Sequence, residues 1–357
     1  MTGPGSSAPA RDARPPAAPG SGWRKWSTIA LVCLGASAAL VYPPVTKYAL
    51  FEPGLGGREG DVGMYVRMYQ GFPLSEIARP FRYRVFTPLA ARLVPMPPHA
   101  LLRYFDLNGD KLVLLRFGLV NLVGLAVAGM ALVALGEALG LALGEALLVA
   151  FLFYTSFPVV NFGGTPMVDT WGHAFLALGL VAMLRDQWAL LAVAGLLGML
   201  AKETTVLLVP AALLLPASAP RRLARLGALA PGLVVYAVLR FAVLPGGYGF
   251  PSDPVNSIEN LVYRLGHGPY LAWIAFDGGT AFMALWPLAL LGWFRLRGRP
   301  DEPLARLSWL IPPILLMPFL IGSNIGRIWF YAFPVMLPLA VLGLRRLLHL
   351  RPAGAAP

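Results

Sequence analysis

Two acids separated by a single glycine, Glu59-Gly60-Asp61, stand in a glycine-rich turn near the start of a chain that is otherwise close to hydrocarbon in character. Tyr65, Arg67 and Tyr69 alternate just after them. Pro80-Phe81-Arg82-Tyr83-Arg84 follows, and Thr87-Pro88 then opens a short apolar stretch carrying Arg92. Carboxylates beside arginines first pair with one another. Here the arginines from Arg58 to Arg103 outnumber the acids Glu52, Glu59, Asp61 and Glu76. The surplus leaves room for an external anion, which guanidinium groups hold through charge-assisted hydrogen bonds. The stretch from 51 to 111 therefore reads as a catalytic or recognition loop. An interfacial anchoring loop without chemistry is the plainer alternative.

Other polar residues stand out against apolar surroundings. Asp169 and His173 are four apart, on one face of a helix that Thr165-Pro166 would open. Asp169 then lies near the positive end of the helix dipole. Lys202-Glu203 separates two short apolar runs, Ser323-Asn324-Ile325-Gly326-Arg327 precedes the last one, and Asp277 precedes Gly278-Gly279 deep in another. Each has a plain reading: a solvated turn for Lys202-Glu203, a hydrogen-bonded helix end for Asp169 and His173, a snorkelling anchor for Arg327 and for Arg240. Asp277 needs a partner, because charge inside a membrane costs a few kcal/mol or more.

The elements that must position these residues are membrane spans. Of 357 residues, 57% are apolar and 13% charged, against about 25% charged in soluble domains. Apolar runs fall at about 27–45, 112–135, 142–160, 166–184, 188–200, 204–215, 226–245, 270–294, 307–322 and 328–348. They predict an all-α membrane protein of about ten transmembrane helices with a long first extracytoplasmic loop bearing interfacial helices. The runs at 188–200 and 204–215 are short against the roughly 17–25 residues that a crossing needs. The net charge of +12 is divided into short clusters between runs, which indicates topology rather than nucleic-acid binding. Arg24 and Lys25 place the amino terminus inside. Alternation then sets Arg185, Arg221/Arg222/Arg225, Arg295/Arg297/Arg299 and Arg345/Arg346 on the cytoplasmic side, in keeping with the positive-inside rule. Residues 1–25 form a Pro/Gly/Ala-rich cytoplasmic tail, 26–350 the membrane domain and 351–357 a short cytoplasmic tail. Cleavage after Ala36-Ser37-Ala38 is the competing reading of the first span. The single cysteine, Cys33, allows no intrachain disulfide, and four scattered histidines give no zinc spacing. With this topology the first loop, Asp169, Lys202-Glu203 and Arg327 all collect on the outer face.

An amino-terminal span, a long outer loop with an acidic motif (Glu59-Gly60-Asp61), interfacial helices and many further spans together resemble the C-type (GT-C) glycosyltransferases. Ala201-Lys202-Glu203-Thr204 and Gly326-Arg327 also look like elements of bacterial relatives. The resemblance implies an enzyme that moves a hexosyl or pentosyl group, as mannosyltransferase-like members do, from a polyprenyl-phosphate donor to a glycan, lipid or protein acceptor. It implies a bacterial plasma (inner) membrane location with the site on the outer face, contacts with membrane lipids, and inversion at the anomeric carbon. By this resemblance Asp61 is the general base and Glu59 its support or a second acceptor contact. Arg82, Arg84, Lys202 and Arg327 are candidates for the departing phosphate, with Glu203, Asp169 and His173 beside them in substrate binding. No cofactor is implied. Relatives differ in metal use, and one Glu-x-Asp pair offers fewer carboxylates than a two-metal site requires, so metal independence is expected.

Two other classes compete. A transporter or lipid flippase would also carry intramembrane charges and broken helices around a midplane site. The chain shows no internal repeat, however, and its polar residues gather at one surface. An anchoring or assembly protein accounts for the loop but not for charges drawn from four separate spans.

Overall fold

The computed structural model describes residues 21–42, 60–104, 109–245, 257–320 and 325–348. Glu59, the expected terminal tail segments 1–20 and 351–357, and Ser323-Asn324 lie outside the described residues. Within them the chain is helical and contains no β-strand.

Chain order begins with α1 (Ser21–Tyr42), whose helix starts a few residues inside the expected tail. The first loop holds three short helices: α2 (Asp61–Gln70), α3 (Phe86–Leu93) and α4 (His99–Tyr104). Next come α5 (Gly109–Ala138), α6 (Leu143–Tyr154) and α7 (Phe157–Phe162), so the run expected at 142–160 is divided. The division falls at Thr155-Ser156, just ahead of Pro158 in the first turn of α7. Then follow α8 (Asp169–Leu184), α9 (Trp188–Ala201), α10 (Leu208–Leu214) and α11 (Ala219–Val238), the last continued by a π-helical turn to Val243. The chain closes with α12 (Ser257–Gly266), α13 (Gly268–Phe282), α14 (Leu285–Leu296), α15 (Pro303–Leu307), α16 (Ile311–Leu320), α17 (Ile325–Trp329) and α18 (Phe333–Leu347).

Five helical segments are long and apolar enough to cross a membrane: Gly22–Tyr42, Gly109–Ala138, Ala219–Val243, Pro303–Leu320 and Ile325–Leu347. The pair α13 and α14, bent by 74°, makes a sixth, and four shorter apolar helices cover the remaining expected runs. The protein is thus an all-α membrane protein. Its α5 packs against α1, α6 and α8, while α14 and α18 form another tight pair. Small residues allow that approach. A Cβ on Gly343 would stand 1.9 Å from the Leu288 carbonyl oxygen, and one on Gly292 2.0 Å from that of Leu339. Only 17% of the most apolar window of α11 is buried, which leaves Val234, Val238 and Phe241 on an outward apolar face.

Two features position the site. The first loop is a folded cap: Val62, Tyr65 and Val66 from α2 join Ile77 and Phe81 in a cluster with Phe117 and Val120 of α5 and with Met167 and Val168 ahead of α8. The alternation read at Tyr65, Arg67 and Tyr69 is helical, with Tyr65 fully buried and Arg67 turned the other way, toward Glu76 and over the Phe72 ring. Later in the same loop Leu93, Met96 and Tyr104 are exposed, as in segments resting in a membrane interface. The second feature is the break after α9, where Lys202 is extended (φ −163°, ψ 133°). Lys202 is buried there, so Lys202-Glu203 is an internal break between helices rather than a solvated turn.

Candidate functional site

Asp61 is the first residue of α2, preceded by an extended Gly60. Its Oδ2 accepts a hydrogen bond from Arg327 Nη1 at 2.6 Å. The same guanidinium donates through Nε at 2.8 Å and Nη2 at 2.6 Å to Asp169 Oδ2. One arginine from α17 therefore bridges a carboxylate of the loop and one at the start of α8. The other oxygen of Asp169, Oδ1, pairs with Lys202 Nζ and accepts the Tyr331 hydroxyl at 3.0 Å. The result is a row of alternating charge: Asp61, Arg327, Asp169, Lys202.

Exposure along this row is graded. The Asp61 side chain is 28% exposed, that of Arg327 10% and that of Asp169 5%. Asp169 is saturated, with both oxygens engaged by charged or hydroxyl donors, and serves as the fixed counter-ion that orients Arg327 and Lys202. Asp61 is the open end. Among the described residues its Oδ1 accepts no hydrogen bond, so this oxygen keeps spare acceptor capacity.

A second cluster adjoins the row through the chain itself. Glu203 follows Lys202 and takes Arg84 in a forked pair, Nε to Oε2 at 2.8 Å and Nη2 to Oε1. Arg84 Nη1 also donates to the Tyr65 hydroxyl at 2.9 Å. Burial works against the Arg84 charge, yet the Glu203 carboxylate and Tyr65 outweigh it and hold its pKa well above the ordinary value. Burial likewise pushes the Tyr65 hydroxyl above its usual range, with Arg84 opposing. Among the described residues the two clusters contain three carboxylates (Asp61, Asp169, Glu203) and three cations (Arg84, Lys202, Arg327), equal in number.

The other expected residues fall around this set. Arg82 is buried and donates to the Leu244 carbonyl at 2.6 Å and the Tyr83 hydroxyl at 3.1 Å, at the far end of α11. His173 sits one turn deeper on α8, enclosed by Phe153, Phe330, Tyr331 and Phe333, and makes no hydrogen bond to Asp169. Arg240 is buried rather than snorkelling, 5.3 Å from the Tyr83 ring centroid. Asp277 has its partner: Oδ2 accepts the Gly326 backbone N–H at 2.9 Å, which ties α13 to the segment carrying Arg327. That contact is close because position 278 is glycine; a Cβ there would lie 2.0 Å from the Trp329 ring. Among the described residues no three His, Cys, Asp or Glu side chains form a group that could hold a metal ion. Between Asp61 and Asp169 the Arg327 guanidinium is the cation in place.

Reading by sequence missed Tyr331 and Tyr65. Spacing carried the signal, since Tyr65 follows Asp61 by four residues and Tyr331 follows Arg327 by four, as His173 follows Asp169.

No protein-family model matches the chain, and no solved structure matches it. Among curated proteins it is similar to the undecaprenyl phosphate-alpha-4-amino-4-deoxy-L-arabinose arabinosyl transferase 1 of Sodalis glossinidius (strain morsitans). The two are 28% identical over an alignment of 286 positions, covering 69% of this chain and 50% of the relative. The chain thus spans half the length of the curated protein it matches. The match bears out the resemblance to GT-C glycosyltransferases.

Proposed function

We propose that this protein is a membrane glycosyltransferase that moves a sugar from a polyprenyl-phosphate donor to an acceptor at the extracytoplasmic face, with Asp61 as general base. The observation that carries the reading is the single guanidinium of Arg327 joining the loop carboxylate to Asp169. It sets an open carboxylate and fixed cations side by side at one end of the spans. The acceptor hydroxyl attacks the anomeric carbon, the new C–O bond forms as the bond to the phosphate oxygen breaks, and the hydroxyl proton passes to Asp61 Oδ1. The lipid phosphate leaves with the bonding electron pair, and one displacement inverts the anomeric centre.

At rest the three cations are neutralised by three carboxylates, as buried charges need to be. A donor phosphate therefore binds by exchange. Arg327 keeps its two bonds to Asp169 and turns its Nη1 edge from Asp61 to the phosphate. Asp61 is then released from its ion pair and becomes the stronger base once donor is bound. Lys202 adds charge behind Arg327, and Arg84 stays with Glu203 as the support of the Lys202 break.

The assignment is tested with purified protein, a radiolabelled polyprenyl-phosphate sugar and membrane extract as acceptor. Asp61→Asn keeps the shape and removes the base, so turnover falls about 10²–10⁴-fold while donor binding survives. Turnover of the variant at the wild-type rate sinks the role of Asp61. A wild-type protein that binds the donor and leaves it intact in every extract removes the transferase reading.

A further inference from the structure

A polar cavity lies at the end of the molecule opposite the candidate site. It has a volume of about 390 Å³ and is walled by the turn between α5 and α6, the end of α14 with the turn after it, and the end of α18. Specific pockets for small ligands occupy about 300–1,000 Å³, so it is large enough for one headgroup. Ala138 at this cavity is 17 residues along α5 from Asn121, whose amide donates to Thr165 and Met167 beside the candidate site. At 1.5 Å per residue that is about 25 Å, close to one hydrocarbon thickness of roughly 30 Å. The cavity and the candidate site therefore open at opposite membrane interfaces.

Three arginines line it: Arg295, Arg299 and Arg345. Arg345 is committed to Glu145 in a forked pair, Nε to Oε1 at 2.5 Å and Nη2 to Oε2. Arg299 donates to Glu302 at 3.0 Å, an exposed contact. Arg295 is half-buried and makes no ion pair among the described residues, although it lies close enough to act on the Glu145 carboxylate that Arg345 holds. Three guanidinium groups thus share two carboxylates, Glu145 and Glu302, and the described residues of the cavity carry one positive charge in excess. Beside it Leu139, Leu141, Leu296, Leu304 and Leu342 supply an apolar wall. A fixed guanidinium next to aliphatic side chains, at a membrane interface, matches a phosphodiester attached to a glycerol and acyl chains.

We propose that this cavity binds the phosphodiester headgroup of an anionic phospholipid from the leaflet opposite the candidate site, with Arg295 as the principal contact and Arg299 as the second. The leaflet is the cytoplasmic one, since Arg295, Arg297, Arg299, Arg345 and Arg346 cluster at this end. The proposal does not rest on sugar transfer.

Native mass spectrometry of the purified full chain in detergent tests it, with phosphatidylglycerol, phosphatidylcholine and inorganic phosphate as probes. Wild type retains phosphatidylglycerol about tenfold or more tightly than Arg295→Gln does, the loss expected for one charge-assisted contact. Arg297→Gln, exposed and outside the cavity wall, leaves retention unchanged. Should Arg295→Gln fail to fold, Arg299→Glu reverses charge at an exposed position of the same cavity and lowers retention. Phosphatidylglycerol held no more tightly than phosphatidylcholine overturns the proposal. So does an equal loss in Arg295→Gln and Arg297→Gln, which marks diffuse surface attraction. Displacement of the lipid by inorganic phosphate at equal concentration makes it a site for the free anion and overturns the lipid assignment. Transfer activity is not read, so its loss or retention bears on the outer site alone.

Discussion

The two charged ends of this molecule, outer and inner in the topology proposed above, are built on different plans. At the outer end three acids and three bases come from the loop, α8, the α9–α10 break and α17, and the ion pairs join residues 33 to 266 positions apart. All six are buried or nearly so except Asp61. At the inner end two long-range pairs, Glu145 with Arg345 and Lys25 with Glu137, stand among local contacts such as Arg299 with Glu302 and Arg306 with Asp301, both solvent-exposed. Removing a partner from a buried pair leaves an uncompensated charge, whereas an exposed pair is screened by water and costs little to break. The outer end is thus a scaffold as well as the candidate site, and its substitutions are expected to change stability together with any activity there. The inner end is open to substitution at its rim.

The largest effect is expected at Asp169, the counter-ion of two cations. Asp169→Ala strands the buried Lys202 and leaves Arg327 with Asp61 alone, and is expected to cost about 3–5 kcal/mol of stability. The drop in thermal midpoint in detergent checks it. A double variant, Asp169→Ala with Lys202→Ala, restores part of the loss because the stranded lysine charge is removed. A midpoint within a degree of wild type for Asp169→Ala alone breaks the contrast between the two ends.

Next in size is Gly278. A methyl group there meets the rigid Trp329 ring, and α17 must shift away from α13. Overpacking of this kind costs about 1–3 kcal/mol. The shift also displaces Arg327, two residues before Trp329, from its position between the carboxylates. Gly278→Ala is therefore expected to lower turnover more than donor affinity, while Gly279→Ala, with open space at its Cβ, changes neither. Equal behaviour of the two variants, by midpoint and by turnover, removes α17 packing as the device that aims Arg327.

Much of this plan is visible along the chain, and the part that is not has a physical reason. Apolar run length marks the helices, because a membrane-crossing helix must satisfy its own backbone and bury a hydrocarbon-length surface. Charges that interrupt such runs single out Asp169, Lys202 and Arg327 as residues held for a purpose. Their pairing is not visible, since nothing in a linear sequence says that position 327 meets position 61. Tyr331 was hidden for a different reason: aromatic residues are common in membrane helices, and its hydroxyl counts only once Asp169 is known to lie beneath it. The cap was misjudged in texture. Arg67 between two tyrosines suggested alternation, but the period of α2 is helical and its apolar face packs on α5.

The smallest expected effect joins the two ends of the comparison. Glu302 is exposed and holds Arg299 in an i, i+3 pair at the rim of the inner cavity. Such pairs contribute about 0.2–1 kcal/mol at most, so Glu302→Gln leaves the thermal midpoint almost unchanged. It does remove the carboxylate that competes with a lipid phosphate for Arg299, and the cavity gains net positive charge. Phosphatidylglycerol retention is then expected to rise several-fold, opposite in sign to Arg295→Gln, with sugar transfer unaffected because the outer network lies about 25 Å away. At the outer end the analogous change, Glu203→Gln, leaves the buried Arg84 without its counter-ion and lowers stability. The same replacement of a glutamate by glutamine thus tightens ligand binding at one end and loosens the fold at the other. A loss of lipid retention in Glu302→Gln would show that Arg299 is useful only where Glu302 holds it, and the inner cavity would then be as self-contained as the outer site.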